Sequence, residues 1–364
     1  MQKWIVTGIS GSDRIELLDD LADYSSKTLN KTVRVHDVGK LIAEACQKSG
    51  RTMVDKKILD VDKSFLAALR STALKSVKIA MLEEPSVDLH LIGIHATFRW
   101  RNRLLPGVSF YDVLSLDPDG FINIHRDVEK VIAKNKQNHK WEPEDVPDAK
   151  STQVWMMEEE FVTEVLAEVT GKPIIIVSRD HKIKNLTDLF FSNKRKVYLS
   201  YPITPVRESN PELLDKIQGE ILGQLEKNFV VFNPLAIQDM PLTYDGAEER
   251  VPELVGQLSP EVKEIIKKRT IERDFQFIDQ SDAVIVFYLT DKLSPGVLAE
   301  IYYAHRNMKP VFLVLSGKHS PFIEDAADVI VSDIDDIIPY LNRFAKTGKW
   351  AQPAPYSGPR KLDP

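Results

Sequence analysis
Short apolar runs recur along the chain, separated by longer stretches in which apolar residues return with helical spacing. In the first half, residues 4–7, 33–36, 88–95, 120–125 and 172–177 read as strands, and 65–80 and 156–169 as amphipathic helices. In the second half the runs are 197–204, 229–232, 283–289, 310–315 and 328–331, with helices over 210–228, 260–280 and 334–346 and a further helix opening within Ser294-Pro-Gly-Val-Leu-Ala-Glu300-Ile-Tyr-Tyr-Ala304. Ser259 caps the 260–280 helix, Pro260 takes its first position and Glu261 lies early in its first turn. Strands alternating with helices predict α/β architecture with parallel sheets. The polar, basic stretch 186–196 reads as a solvated linker, and it predicts domains over 1–192 and 193–348 followed by a proline-rich tail, 349–364. The acidic stretch 236–258, broken by Pro and Gly, reads as a long loop at a strand's carboxyl end, where lids and substrate rims are found.

Composition narrows the function. A length of 364 residues suits two cores, and 43% hydrophobic with 28% charged residues suits folded ones. The net charge of -6 argues against a broad grip on nucleic acid. Cys46 is the single cysteine, so neither a disulfide framework nor a cysteine zinc cluster is available. No window approaches the roughly 20 apolar residues that span a bilayer, and the start, Met-Gln-Lys-Trp-Ile-Val, lacks a signal-peptide pattern. A soluble, cytoplasmic protein is expected, with no nucleic-acid or membrane partner and no metal or cofactor.

The first strand leads into Gly8-Ile-Ser-Gly11-Ser12-Asp-Arg14-Ile15 and then a helix, the setting of a phosphate-binding loop with the pattern G-x-x-x-x-G-K-[ST]. Gly8 fits; Asp13 stands where the second glycine belongs, Arg14 at the lysine and Ile15 at the magnesium ligand. With His95-Ala-Thr97, Leu105-Pro-Gly107 and Leu116-Asp-Pro118, this order resembles the archaeal type of adenylate kinase over roughly residues 1–190. The resemblance implies a P-loop kinase-like domain. Residues 131–141, which replace the arginine-rich lid of that family, contain no arginine. Phosphoryl transfer rests on lysine, magnesium and arginines, so a kinase shape without kinase activity is expected. Gly8, Gly11, Ser12 and Arg14 are the candidates for binding a regulatory nucleotide; a purely structural or oligomerising role is the alternative.

The second half has the five alternating strands of a doubly wound, flavodoxin-like domain. Its stretches Val197-Tyr-Leu-Ser-Tyr-Pro-Ile-Thr204, Arg273-Asp274-Phe-Gln-Phe-Ile-Asp-Gln-Ser-Asp282 and Ser294 to Val311 together resemble the nucleoside 2-deoxyribosyltransferase superfamily, in the branch that hydrolyses nucleoside 5'-monophosphates. The resemblance implies that Glu300 attacks the anomeric carbon, that Asp274 assists departure of the base and that Tyr198 orients the nucleophile. A carboxylate flanking a glycosidic carbon suits a covalent glycosyl intermediate, and a raised-pKa carboxyl suits protonation of the base. Asp282 reads as a cap or turn residue. Ser294 stands six residues before Glu300, where enzymes acting on free nucleosides carry an acid that would repel phosphate. A hydroxyl beside Gly296 at a helix start suits phosphate, with Ser200, Thr204 and the 316–320 loop, including Ser320, as further contacts. Tyr201 stands where that superfamily often has glycine, which implies a differently shaped pocket.

The expected function is therefore hydrolysis of the N-glycosidic bond of a nucleoside 5'-monophosphate, a small-molecule nucleotide substrate, in a homo-oligomer. The alternatives are deoxyribosyl transfer, cleavage of NAD, and a non-catalytic nucleotide sensor.

Overall fold
The computed structural model describes residues 1–50, 58–100, 103–138, 141–316 and 320–350. The chain folds into two parallel-sheet α/β units, each with five parallel strands. The expected proline-rich tail lies, from residue 351 on, outside the described residues, as do Arg101, His139, Lys140 and residues 317–319. Among the described residues no helix is long and apolar enough to cross a membrane.

In the first unit, β1 (Gln2–Thr7), β2 (Val33–Asp37), β3 (Leu89–Gly93), β4 (Thr97–Trp100), β5 (Arg103–Pro106), β6 (Gly120–His125) and β7 (Ile174–Ser178) follow in chain order. The sheet runs β2-β3-β1-β6-β7, all parallel. Its inner strands are buried on both faces, which is why they read as continuous apolar runs. β4 and β5 form a separate antiparallel hairpin after the 88–95 run. Gly107 leaves the hairpin with its amide on the Ala96 carbonyl, 2.7 Å, and any Cβ there would overlap the His95 carbonyl. The helix Ala149–Thr170 begins seven residues before its expected start, capped by Asp148, which accepts from the Ser151 amide.

The compact units are Met1–Lys184 with Ile237–Thr270, and Asn185–Ala236 with Ile271–Pro364. This departs from the contiguous division expected near Ser192. The 237–258 stretch is not an open loop: short turns and the helix Ala247–Arg250 bring Leu242, Ala247, Leu254 and Leu258 into a first-unit core with Ile9, Val131 and Trp155. Asp239 accepts from the Val128 amide at 2.9 Å, and the Gln257 side chain accepts from the Ala149 amide at 2.9 Å. Arg269 pairs with buried Glu160, which also meets His125 at 2.8 Å.

The second unit contains β8 (Arg195–Ser200), β9 (Phe229–Phe232), β10 (Ala283–Tyr288), β11 (Val311–Leu315) and β12 (Val329–Val331). The order β12-β11-β10-β8-β9 is the flavodoxin-like one, with its switch point between β8 and β10. The stretch read as a linker is partly the helix Ile183–Phe191. Its Asn185 side chain donates to the Val231 carbonyl and accepts from the Val231 amide, both at 2.8 Å, and so covers the outer edge of β9. The 210–228 helix contains a π-helical segment, Ile217–Ile221.

Candidate active site
Period-two geometry sets the two faces of β8. Val197 and Leu199 enter the main core of the second unit, while Tyr198 and Ser200 point to the opposite face. Across the switch point, the helix Pro295–Arg306 follows β10 and carries Glu300 in its second turn. The Tyr198 hydroxyl donates to Glu300 Oε1 at 3.0 Å, and the Ser200 hydroxyl donates to Glu300 Oε2 at 2.5 Å. Each carboxylate oxygen therefore has its own donor on one strand, which fixes the rotation of the carboxyl plane.

Burial raises the Glu300 pKa, and the nearby Asp274 carboxylate raises it further, to about 8; the two hydroxyl donors oppose the rise. Asp274, on the helix Pro260–Asp279, is also raised by burial, opposed by Arg273, whose guanidinium lies 3.2 Å away. Burial and then the charges of Asp274 and Glu300 push the Tyr198 phenol well above its ordinary value, so it remains a hydroxyl donor. Two half-buried carboxyls with raised pKa values, one raising the other, titrate as a pair.

Tyr201 is buried in the adjoining core, and its hydroxyl donates to Asn233 Oδ1 at 3.0 Å while accepting from Gln218 Nε2. Asn233 Nδ2 donates back to Gln218 Oε1 at 2.8 Å, closing a ring of three side chains. Gln218 comes from the π-helical segment, a local distortion of the kind frequent beside functional sites. The Tyr201 pKa is raised by burial and by Glu300, with exposed Arg207 acting against the rise. Arg273, Gln218, Asn233 and Arg207 are thus parts of this surround that the apolar pattern and spacing do not single out.

Ser294 is the N-cap residue of the Glu300 helix but makes no side-chain cap hydrogen bond; its amide donates to the Tyr288 hydroxyl at 2.7 Å. Gly296 sits in the first turn, and a Cβ there would meet nothing within 4 Å. Thr204 is exposed on the short helix Ile203–Ser209, and Ser320 caps another short helix by accepting from the Phe322 amide at 3.4 Å. No hydrogen bond or ion pair joins Thr204 or Ser320 to Glu300 among the described residues, whereas Ser200 is a partner of the carboxylate rather than an open contact for phosphate. Asp282 clamps the start of β8, accepting from the Lys196 amide at 2.7 Å.

The glycine loop of the first unit is filled by the chain's own groups. Glu159, 1% exposed, accepts from the amides of Gly8 (3.1 Å), Ala96 (2.8 Å) and Thr97 (2.6 Å), and from the Thr97 hydroxyl (2.7 Å). Arg14 turns inward, its Nη1 donating to the Gly8 carbonyl and lying 3.4 Å from His95 Nδ1. Asp13 holds a left-handed conformation, φ 54°, of the kind glycine adopts freely. Its carboxylate takes Arg126 at 2.5 Å and Lys134 at 2.8 Å. The helix Val128–Gln137, which overlaps the arginine-free 131–141 stretch, lies against the loop: a Cβ on Gly11 would come within 2.7 Å of the Val131 carbonyl, and Ser10 bonds Asn135 at 3.0 Å. Ser12 is fully buried. Gly8, Gly11, Ser12 and Arg14 are therefore packed together in one loop, but Arg14 and the Gly8 amide are engaged internally.

The chain matches no protein-family model and no curated protein.

Proposed function
We propose that the second unit hydrolyses the N-glycosidic bond of a nucleoside 5'-monophosphate, releasing the free base and the (deoxy)ribose 5-phosphate. The observation that carries this reading is Glu300: a carboxyl oriented by Tyr198 and Ser200, with Asp274 close enough to raise its pKa, at the switch point of a parallel sheet. In the reactive form the pair holds one proton, on Asp274. Glu300 Oε attacks the anomeric carbon while the C–N bond breaks, its electron pair passing to the base nitrogen as Asp274 gives that base a proton. Water then attacks the same carbon, the ester to Glu300 breaks, and Asp274 takes the water proton back. The phosphate is assigned to the first turn of the Glu300 helix, where the Ser294 hydroxyl is not used as a cap and open space surrounds Gly296.

A panel of ribo- and deoxyribonucleoside monophosphates, followed by chromatography of the released base, tests the proposal. Base release that disappears in Glu300→Ala supports it. Release from none of the panel, or release equal in Glu300→Ala, refutes it; release that requires an added acceptor base identifies a transferase instead.

A further inference from the structure
The first unit holds a cavity of about 1010 Å³ between the start of the helix Lys63–Glu83 and the β4–β5 hairpin. Its wall includes Arg70, only 7% exposed. Among the described residues Arg70 Nε and Nη2 have no hydrogen-bond partner and the guanidinium forms no ion pair. Those two nitrogens share one edge of the guanidinium, the edge that binds an oxyanion by two parallel hydrogen bonds. The same edge is used that way elsewhere in this unit: Arg99 donates through Nε, at 2.6 Å, and Nη2 to the two oxygens of Glu158.

The described carboxylates that share the wall with Arg70, Asp60 and Asp62, are engaged elsewhere. Asp60 accepts from the Trp100 indole at 2.8 Å, and Asp62 caps the helix through the Ser64 and Phe65 amides. Phe98 lies under the guanidinium, 5.3 Å from ring centre to Cζ, and closes one of its faces. Burial lowers the Arg70 pKa to about 10, so it stays charged at neutral pH. A buried, charged, unpaired guanidinium is unfavourable unless something outside the chain answers it. The rest of the wall indicates what else the occupant carries: Val61, Leu66, Leu105 and Pro106 are apolar, and the exposed Lys63 and Arg103 add positive charge.

We propose that this cavity is a second ligand site for an organic anion, an oxyanion head on an apolar body, with the head bound by the Nε/Nη2 edge of Arg70 and the body against Leu66 and Leu105. The volume matches a small organic ligand. The site is separate from the glycine loop and does not depend on the chemistry of Glu300.

The full chain is titrated with phenyl phosphate, benzoate, inorganic phosphate and phenol, with affinity read by calorimetry and by the rise of Tm with concentration. Phenyl phosphate or benzoate is expected to bind at least tenfold more tightly than inorganic phosphate or phenol, and which of the two wins identifies the head. Arg70→Met should abolish that binding while leaving the unliganded protein at least as stable as wild type, and Arg70→Lys, which keeps the charge without the fork, should weaken it at least tenfold. Ala67→Trp, which blocks the cavity from an exposed position of the same helix, should also abolish binding, and it decides the matter if Arg70→Met does not fold. Binding of neither organic anion, or binding unchanged in Arg70→Met or in Ala67→Trp, overturns the proposal.

Discussion
Replacing Glu300 by Gln is expected to abolish base release and, at neutral pH, to stabilise the protein. Gln retains both partners, since one side-chain atom still accepts from Tyr198 and the Ser200 hydroxyl can rotate to accept from the new amide. What the substitution removes is a carboxyl that burial and Asp274 raise from 4.5 to about 8. A raised carboxyl means that the folded state binds more protons than the unfolded one, so stability is full below pH 4.5 and falls as pH rises toward 8. Each pH unit inside that window costs about 1.4 kcal/mol. At pH 7 the accumulated cost is up to about 3 kcal/mol, which in Tm is roughly 6–12 °C for a unit of this size. It levels off above pH 8, where the folded carboxyl ionises too.

Urea and thermal unfolding of wild type and Glu300→Gln at pH 5, 6, 7 and 8 measure the gap directly. The two proteins should be nearly equal near pH 4.5–5, with the variant ahead by a growing margin up to pH 8. A gap that stays constant with pH would show that Glu300 titrates normally and is not buried beside Asp274. The combination of gained stability and lost activity is what a strained catalytic carboxylate gives.

The Asp274→Asn variant keeps an isosteric side chain without the like charge, so the acid limb of its kcat/KM profile should move to lower pH while the rate falls about 10²–10⁴-fold; an unmoved limb would mean that Asp274 does not set the Glu300 titration. Gln218→Ala removes the donor to the Tyr201 hydroxyl, which keeps its bond to Asn233, and leaves the buried Asn233 amide without its acceptor, so it should cost about 1–3 kcal/mol in urea unfolding; a loss under half a kilocalorie would show that water replaces Gln218. His36 is lowered to about 4 by burial and by His90, 3.0 Å away, so its contribution is present above pH 6.5 and lost as pH falls through 4. His36→Phe should flatten that acid loss by up to about 1.4 kcal/mol per pH unit, and an unchanged acid transition would locate the sensitivity elsewhere.

The sheets were legible because a strand buried on both faces has little choice of residue: β6 and β9 lie where their apolar runs end. The helix that carries Glu300 was legible because it opens directly after the apolar run of β10, whereas the role of Glu300 rests on the resemblance and on the function proposed above. The 237–270 segment was not, since Leu242, Ala247, Leu254 and Leu258 follow no single period and Pro241 and Pro252 interrupt the stretch, and irregular apolar positions do not say which core they enter. The helix Ile183–Phe191 does carry buried Leu186, Thr187 and Phe190 at helical spacing, but the basic residues after it, from Lys194, masked its end. Gln218 and Asn233 meet only because two segments approach in three dimensions, which no local pattern records.

One signal in the sequence bears on function more widely than the motifs do: a charged residue at an inward position of an apolar helical stripe. The inward faces of the helices Arg14–Leu29, Lys63–Glu83 and Ala149–Thr170 place Arg14, Arg70, Glu159 and Glu160 among leucines, alanines and Trp155. A charge at such a position is unfavourable unless it is answered. Glu159 is answered by three amides and a hydroxyl, Glu160 by Arg269 and His125, and Arg14 by the Gly8 carbonyl. Those three build the closed glycine loop and fasten the 237–270 segment to the first unit. Arg70 has the same placement and no such answer within the described chain, and it borders a cavity. The contrast with its neighbours, rather than its burial alone, is what separates a structural charge from one that awaits a ligand.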